Sequence, residues 1–180
     1  AYWQQDGGDY AVCSIVIIDE VTRQVVEKKN LAGKIEVPYV AGYLSFRELP
    51  LILKTYELLE MKPDLVIFDG NGYLHYRNLG IASHASFYLE KPCIGVAKSY
   101  LKIDGVEFTM PEDEAGAFTD IVIGGRVYGR ALRTHKGVKP IFVSCGNWID
   151  LNTSTEIVLE LIDQESRQPI PTRYADLETK

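Results

Sequence analysis

Three residues stand where short apolar runs end, and their side chains are a carboxylate, an ammonium and an amide. Asp69 follows Leu65-Val66-Ile67-Phe68, Lys98 follows Cys93-Ile94-Gly95-Val96-Ala97, and Asn147 follows Ile141-Phe142-Val143-Ser144-Cys145-Gly146. In open α/β sheets ligands bind at the carboxyl ends of parallel strands, so neighbouring strands would bring these three groups to one edge. Glu48 adds a second carboxylate. Two carboxylates beside an ammonium make a Mg²⁺ site, because hard cations take carboxylate oxygens together with substrate phosphate. Both acids also have local roles open to them. Asp69 can close an Asx-turn in Asp69-Gly70-Asn71-Gly72, although glycines on both sides of Asn71 suit a backbone that approaches a ligand closely. Ser45-Phe46-Arg47-Glu48 spells a capping box. That box would place Pro50 at the fifth helical position, where an N–H is needed, so the helix is expected to begin near Glu48 with the carboxylate at its mouth.

His75 lies six residues beyond Asp69, in the loop expected at the same edge, as a surface residue or a functional one. His84 falls inside a helix and reads as packed; His135 reads as solvated. Tyr39, between Pro38 and the Ala41-Gly42 turn, is either a half-buried turn aromatic or a ring on a stiff loop placed to stack on a base, a contact worth about 1–3 kcal/mol. From Arg126 to Lys139 the chain carries Arg126, Arg130, Arg133, Lys136 and Lys139 with no acid, as a solvated strand face or a phosphate-contacting flank.

The elements that must position these groups follow from pattern. The run Tyr10 to Asp19 is β-branched and apolar, a strand, and Asp19-Glu20-Val21-Thr22-Arg23 turns it into a second extended stretch to Val37. A helix follows, with Leu51, Ile52, Tyr56, Leu58 and Leu59 on one face. Strand Leu65–Phe68, a helix from about Ile81 to Leu89 and strand Cys93–Ala97 form a βαβ unit, whose two strands are parallel. A hairpin around Gly124-Gly125, a buried strand Ile141–Cys145, a helix from about Leu151 to Ser166 and a surface strap through Pro169 and Pro171 complete one α/β domain.

With 180 residues the chain can bury roughly 70% of its unfolded surface without a metal or disulfide staple. A 46% hydrophobic and 24% charged composition excludes disordered and low-complexity classes. No apolar run is long enough to span a bilayer. Three separated cysteines, Cys13, Cys93 and Cys145, read as buried thiols of a reducing compartment, so the cytoplasm is expected. Nineteen basic against 25 acidic residues disfavours a sequence-independent nucleic-acid coat, but not a nuclease with a local basic surface. No Gly-x-Ser-x-Gly elbow supports a small-molecule hydrolase.

The blocks PYVAGYLSFRE (Pro38 to Glu48), PDLVIFDGNGYLHYRNLGIASH (Pro63 to His84) and PCIGVAKSYL (Pro92 to Leu101) closely resemble endonuclease V, the inosine-directed nuclease family, in its bacterial, Bacillus-like branch. The likeness runs through Gly146 to the Pro169–Arg173 tail. It implies an RNase H-like fold: a mixed five-stranded sheet flanked by helices. It implies Mg²⁺-dependent hydrolysis, with Mn²⁺ as a substitute, of the second phosphodiester bond 3′ to a deaminated adenine, leaving 3′-hydroxyl and 5′-phosphate ends. By that resemblance Glu48 and Asp69 hold metal, Lys98 stabilises charge at the attacked phosphate, and His75 occupies the site-histidine position. Tyr39 matches the wedge that fills the gap left by the rotated-out base, and Gly42, Leu44, Gly70, Gly80 and Leu101 match the hypoxanthine pocket, read largely through backbone groups. The expected partner is inosine-containing nucleic acid, DNA or RNA, with the protein a monomer and no membrane involved.

Two positions depart from the family pattern. Ala1-Tyr2-Trp3 matches the end of a Val-Asp-x-Ala-Tyr pattern, so the family's first metal-binding aspartate would precede Ala1; residues 1–180 are expected to be one domain of a natively longer protein, with most of the first strand missing. Asn147 stands where many relatives have histidine, as a metal-proximal amide. A contrasting reading is a binding module of nuclease ancestry that recognises inosine without cutting.

Overall fold

The computed structural model describes residues 1–40 and 42–180. It divides into two compact units, Ala1–Pro63 with Pro171–Lys180, and Asp64–Ile170. Among the described residues no helix is long and apolar enough to cross a membrane.

The first unit opens on an antiparallel sheet of β1 (Tyr2–Gln5), β2 (Gly8–Ile18) and β3 (Val25–Ile35), in that order. Asp6-Gly7 joins β1 to β2 with both φ angles positive, 50° and 75°, the two-residue turn whose twist matches that of its strands. This hairpin was not anticipated, although Asp-Gly is its signature. At the other end of β2 the Asp19 carboxylate accepts from the Thr22 amide (2.7 Å) and hydroxyl (2.8 Å), so the expected turn is held by its own side chains.

Helix α1 spans Leu44–Glu57, beginning earlier than expected. Pro50 is its seventh residue, so the N–H that would bond the Phe46 carbonyl is missing. Tertiary packing outweighs that loss: Ser45, Arg47, Leu49, Leu51 and Thr55 are buried along the inner face. Leu51 joins Ala11 and Ile35 in the unit's core and lies so close to β3 that a Cβ on Gly33 would sit 2.8 Å from its Cδ1. The capping box is not formed, since the N-cap is Tyr43 and makes no side-chain capping bond.

The second unit is a mixed five-stranded sheet flanked by helices, the architecture the resemblance implies. Strand β4 (Val66–Asp69), helix α2 (Ile81–Leu89) and strand β5 (Cys93–Ala97) form the βαβ unit, with β4 and β5 parallel. Strands β6 (Phe118–Ile123), β7 (Arg126–Leu132) and β8 (Ile141–Cys145) complete the order β4-β5-β8-β7-β6, every further pairing antiparallel. Ile94, Val96, Leu132, Ile141 and Val143 pack with Val158 of α3 (Leu151–Glu160). Leu74, Ala97, Ile121, Ala131 and Phe142 form a second core cluster. Asp150 caps α3, accepting from the Thr153 amide at 2.9 Å, and the helix ends six residues before the expected Ser166.

The expected surface strap is instead helix α4 (Ile170–Glu178). Pro171 is its second residue, where the missing N–H costs nothing, so proline there starts a helix rather than preventing one. In the first unit α4 is tied to β3 by Glu178, which accepts from Lys28 Nζ at 2.8 Å and Asn30 Nδ2 at 3.2 Å.

Candidate active site

Two groups of predicted site residues emerge, one in each unit. In the second unit Asp69 is the last residue of β4, opposite Val96, and Lys98 follows the end of β5. The parallel crossover therefore brings a carboxylate and an ammonium from distant sequence positions to one sheet edge, with Lys98 Nζ 2.9 Å from Asp69 Oδ2. Their side chains are 36% and 43% exposed, so the pair contributes at most about 1 kcal/mol to folding and stays within reach of a solute. The backbone under Lys98 is held by Arg167, whose Nη2 donates to the Lys98 carbonyl at 3.0 Å and Nη1 to the Pro140 carbonyl at 2.8 Å. With the Lys139 carbonyl, which accepts from Nη1 at 3.3 Å, the guanidinium spans three carbonyls just beyond the β5–β8 ladder.

After Asp69 the chain turns back over the sheet. Gly72 N donates to Ser144 Oγ at 2.9 Å, Tyr73 N to the Cys145 carbonyl at 2.6 Å, and Ala82 N to the Asn71 carbonyl at 3.1 Å. Space is short throughout: a Cβ on Gly72 would lie 2.1 Å from the Cys145 oxygen, one on Gly80 2.2 Å from the Asn71 oxygen, and one on Gly70 2.8 Å from Ile81 Cγ2. Packing alone thus demands glycine at Gly70 and Gly80, two of the expected pocket positions. Leu101 is half-buried beyond β5. The Asn71 Oδ1 atom is buried and accepts no hydrogen bond.

His75 is buried in this loop and stacks on Tyr76 with ring centroids 4.3 Å apart. Its Nδ1 accepts from the Arg77 amide at 3.1 Å, which assigns the ring proton to Nε2. Burial, aided by the nearby Arg77 charge, holds its pKa below the usual imidazole value, so His75 is a neutral Nε2–H donor at pH 7.

Asn147 does not join this edge. Strand β8 runs antiparallel to β5, with Ile94 opposite Cys145 and Ala97 opposite Phe142, so its carboxyl end lies beside the start of β5. Asn147 donates instead to Ser86 Oγ at 2.7 Å and the Ser83 carbonyl at 3.3 Å, tying the β8–α3 loop to α2. The expectation assumed three parallel strands, whereas the run IFVSC has the same apolar character in either direction.

In the first unit Glu48 is the fifth residue of α1, one turn inside the helix rather than at its mouth. Its Oε1 accepts a short hydrogen bond from the Tyr2 hydroxyl. Burial, reinforced by this bond, pushes the Tyr2 phenol well above its ordinary pKa, so it remains a donor. The Arg47 guanidinium lies 5.1 Å from the Tyr2 ring centroid, donates to Asp9 Oδ2 at 3.0 Å and to the Val37 carbonyl at 2.7 Å, and is itself buried. Its hydrogen bond, followed by that from Gln4, holds the Asp9 carboxyl below the usual range. Tyr2 and Arg47 fall inside blocks that carry the resemblance, but nothing in the sequence announces their contacts with Glu48 and Asp9, since Tyr2 and Glu48 are 46 residues apart. Tyr39 is 68% exposed, Gly42 has φ 81°, and Leu44, 40% exposed, begins α1.

The basic run divides. Arg130 pairs with Asp120 at 2.7 Å, and Arg133 donates to the Glu112, Pro111 and Val138 carbonyls, so both are structural; Arg126, Lys136 and Lys139 are exposed. His135, expected in solvent, shares a 2.8 Å hydrogen bond between its Nε2 and the Asp163 carbonyl.

Among the described residues no three His, Cys, Asp or Glu side chains converge to hold a metal. The candidate donors in each unit, Glu48 in the first and Asp69 in the second, are carboxylates. The alternative soft donors are silent, burial raising the Cys93 thiol to about 12 and also raising Cys13 and Cys145. Hard oxygen ligands suit Mg²⁺, which is held through one or two carboxylates and retains waters.

Residues 1–177 match the family model described as Endonuclease V. Endonuclease V of Bacillus subtilis (strain 168) is 61% identical over 179 residues, covering 99% of this chain and 75% of that protein. Its crystal structure matches with a TM-score of 0.96, over 99% of this chain and 76% of that one. The crystal structure of Ciona intestinalis endonuclease V, in complex with a 24mer DNA containing an inosine followed by a ribo-adenosine, matches at 28% identity with a TM-score of 0.86, over 98% of this chain and 80% of that one. A chain matched over residues 1–177 by that family model, and 61% identical to such a relative over nearly its whole length, belongs to the endonuclease V family.

Proposed function

We propose that the protein is a Mg²⁺-dependent DNA repair endonuclease that hydrolyses the second phosphodiester bond 3′ to deoxyinosine, leaving 3′-hydroxyl and 5′-phosphate ends. The observation that carries the reading is the exposed Asp69–Lys98 pair at the carboxyl edge of the βαβ unit. Glu48 and Asp69 would hold the metal. When bound, Mg²⁺ supplies a polarised water and neutralises phosphate charge.

The remaining work falls to this chain's own groups. Lys98 neutralises Asp69 in the unliganded protein and is placed to turn its ammonium to a phosphate oxygen as charge develops. His75 offers the neutral Nε2–H as a donor and keeps it at neutral pH because burial resists protonation. Tyr39 presents an exposed ring to fill the gap left by the extruded base. Hypoxanthine differs from adenine at the six-position and N1, differences that backbone groups around Gly42, Leu44, Gly70, Gly80 and Leu101 would read. The inosine-containing DNA of the Ciona complex supports this substrate class. Residues 1–180 act on this reading as one nuclease domain, a monomer of the cytoplasm with RNA as a second substrate and Mn²⁺ as a substitute metal; three free thiols favour that compartment.

The test is a split between binding and cutting. Asp69→Asn and Lys98→Ala should each slow single-turnover cleavage of deoxyinosine DNA by at least about 100-fold. Both should still bind that DNA in EDTA. Cleavage at the parental rate by both variants would refute the assignment.

A further inference from the structure

The Glu48 carboxylate is set in a network that the proposed chemistry does not by itself require. Tyr2 donates its hydroxyl to Glu48 Oε1 from β1, the edge strand of the three-stranded sheet. The phenol ring is in turn covered by Arg47, whose Cζ lies over its face 5.1 Å from the centroid. Arg47 cannot swing away, because its two terminal nitrogens are spent on Asp9 Oδ2 (3.0 Å) and the Val37 carbonyl (2.7 Å), and its side chain is buried. Asp9 lies on β2, so two strands and a helix converge to hold one phenol against one carboxylate. A Glu side chain has three rotatable bonds, and a long flexible ligand binds a cation well only when its rotamers are already restricted.

We propose that Tyr2 is a positioning residue for metal binding: its hydroxyl, steadied by the Asp9–Arg47 pair, fixes the plane of the Glu48 carboxylate toward a divalent cation. This rests on the reading of Glu48 as a metal ligand. Partners that orient a ligand in this way change metal affinity by about 10–100-fold.

The experiment measures Mn²⁺ affinity by calorimetry on the full-length protein, without DNA, for the parent, Tyr2→Phe, Glu48→Gln and the double variant. Tyr2→Phe keeps the ring under Arg47 and removes only the hydroxyl. The expected result is a Mn²⁺ dissociation constant about 10-fold higher for Tyr2→Phe, a larger loss for Glu48→Gln, and a double variant no worse than Glu48→Gln alone. Binding of deoxyinosine DNA in EDTA and the melting temperature should stay at parental values in Tyr2→Phe, which a merely structural tyrosine would not permit alongside the metal defect. Glu48→Gln impaired with Tyr2→Phe at parental Mn²⁺ affinity would overturn the positioning role alone. Glu48→Gln at parental affinity would overturn the ligand reading and the positioning role with it.

Discussion

At the scale of single residues, the candidate site separates groups that are exposed and lightly held from groups fixed by burial. Asp69 and Lys98 are the first kind, and their pair can open without a large cost to folding. His75 is the second, and its burial carries a pH signature. Because the folded protein holds the His75 pKa below the usual 6.5, its contribution to stability is complete above that value and is lost as pH falls beneath it. Replacing His75 with Asn should therefore flatten the fall in melting temperature on the acid side of pH 6.5; an acid limb as steep as the parent's would contradict this. His84 is also lowered by burial and will retain part of the slope. Buried Cys93, with its thiol raised to about 12, should resist iodoacetamide at pH 8 until the protein is unfolded, and rapid labelling of the native form would count against its placement. Residue types and their order were legible at this scale: Asp69 and Lys98 meet as their strand ends suggested. The Tyr2–Glu48 and Asp9–Arg47 contacts were not, because nothing local to either partner marks a pairing made only by tertiary folding.

Among the elements, the βαβ unit and both expected hairpins could be read from apolar runs and turn residues, since local chemistry dictates them. Two errors share one cause, a local rule overridden by packing or left undetermined by it. Pro50 argued against a helix start at Leu44, yet α1 buries Leu49 and Leu51 and bears the proline in its interior. The run at β8 gave no sign of its antiparallel direction, and that direction removes Asn147 from the Asp69 edge. The loop after Asp69 depends on contacts with no room to adjust. A Cβ on Gly95 would fall 2.4 Å from the Gly72 nitrogen and 2.6 Å from the Asn71 carbonyl carbon, both backbone. Gly95→Ala should destabilise the protein by about 1–3 kcal/mol or more, lowering the melting temperature by several degrees, and a parental melting temperature would refute this packing.

For the molecule as a whole, the net charge of −6 and the proposed binding of a polyanion must be reconciled. Arg130 and Arg133 are committed to internal partners, which leaves few exposed cations along that run. Undamaged DNA should therefore be held weakly, with only a few phosphates neutralised and a log–log salt slope near −0.9 for each. On the proposed reading, lesion recognition then rests on the extruded base rather than on charge. The most direct measurement is cleavage of an end-labelled duplex carrying one deoxyinosine by the full-length protein, in Mg²⁺ and in EDTA, with the cut site mapped to the nucleotide. The expected result is a single nick at the second phosphodiester bond 3′ to the inosine, only in Mg²⁺ and absent from the adenine control. Equal cutting of the adenine control, or no cutting in Mg²⁺, would contradict it.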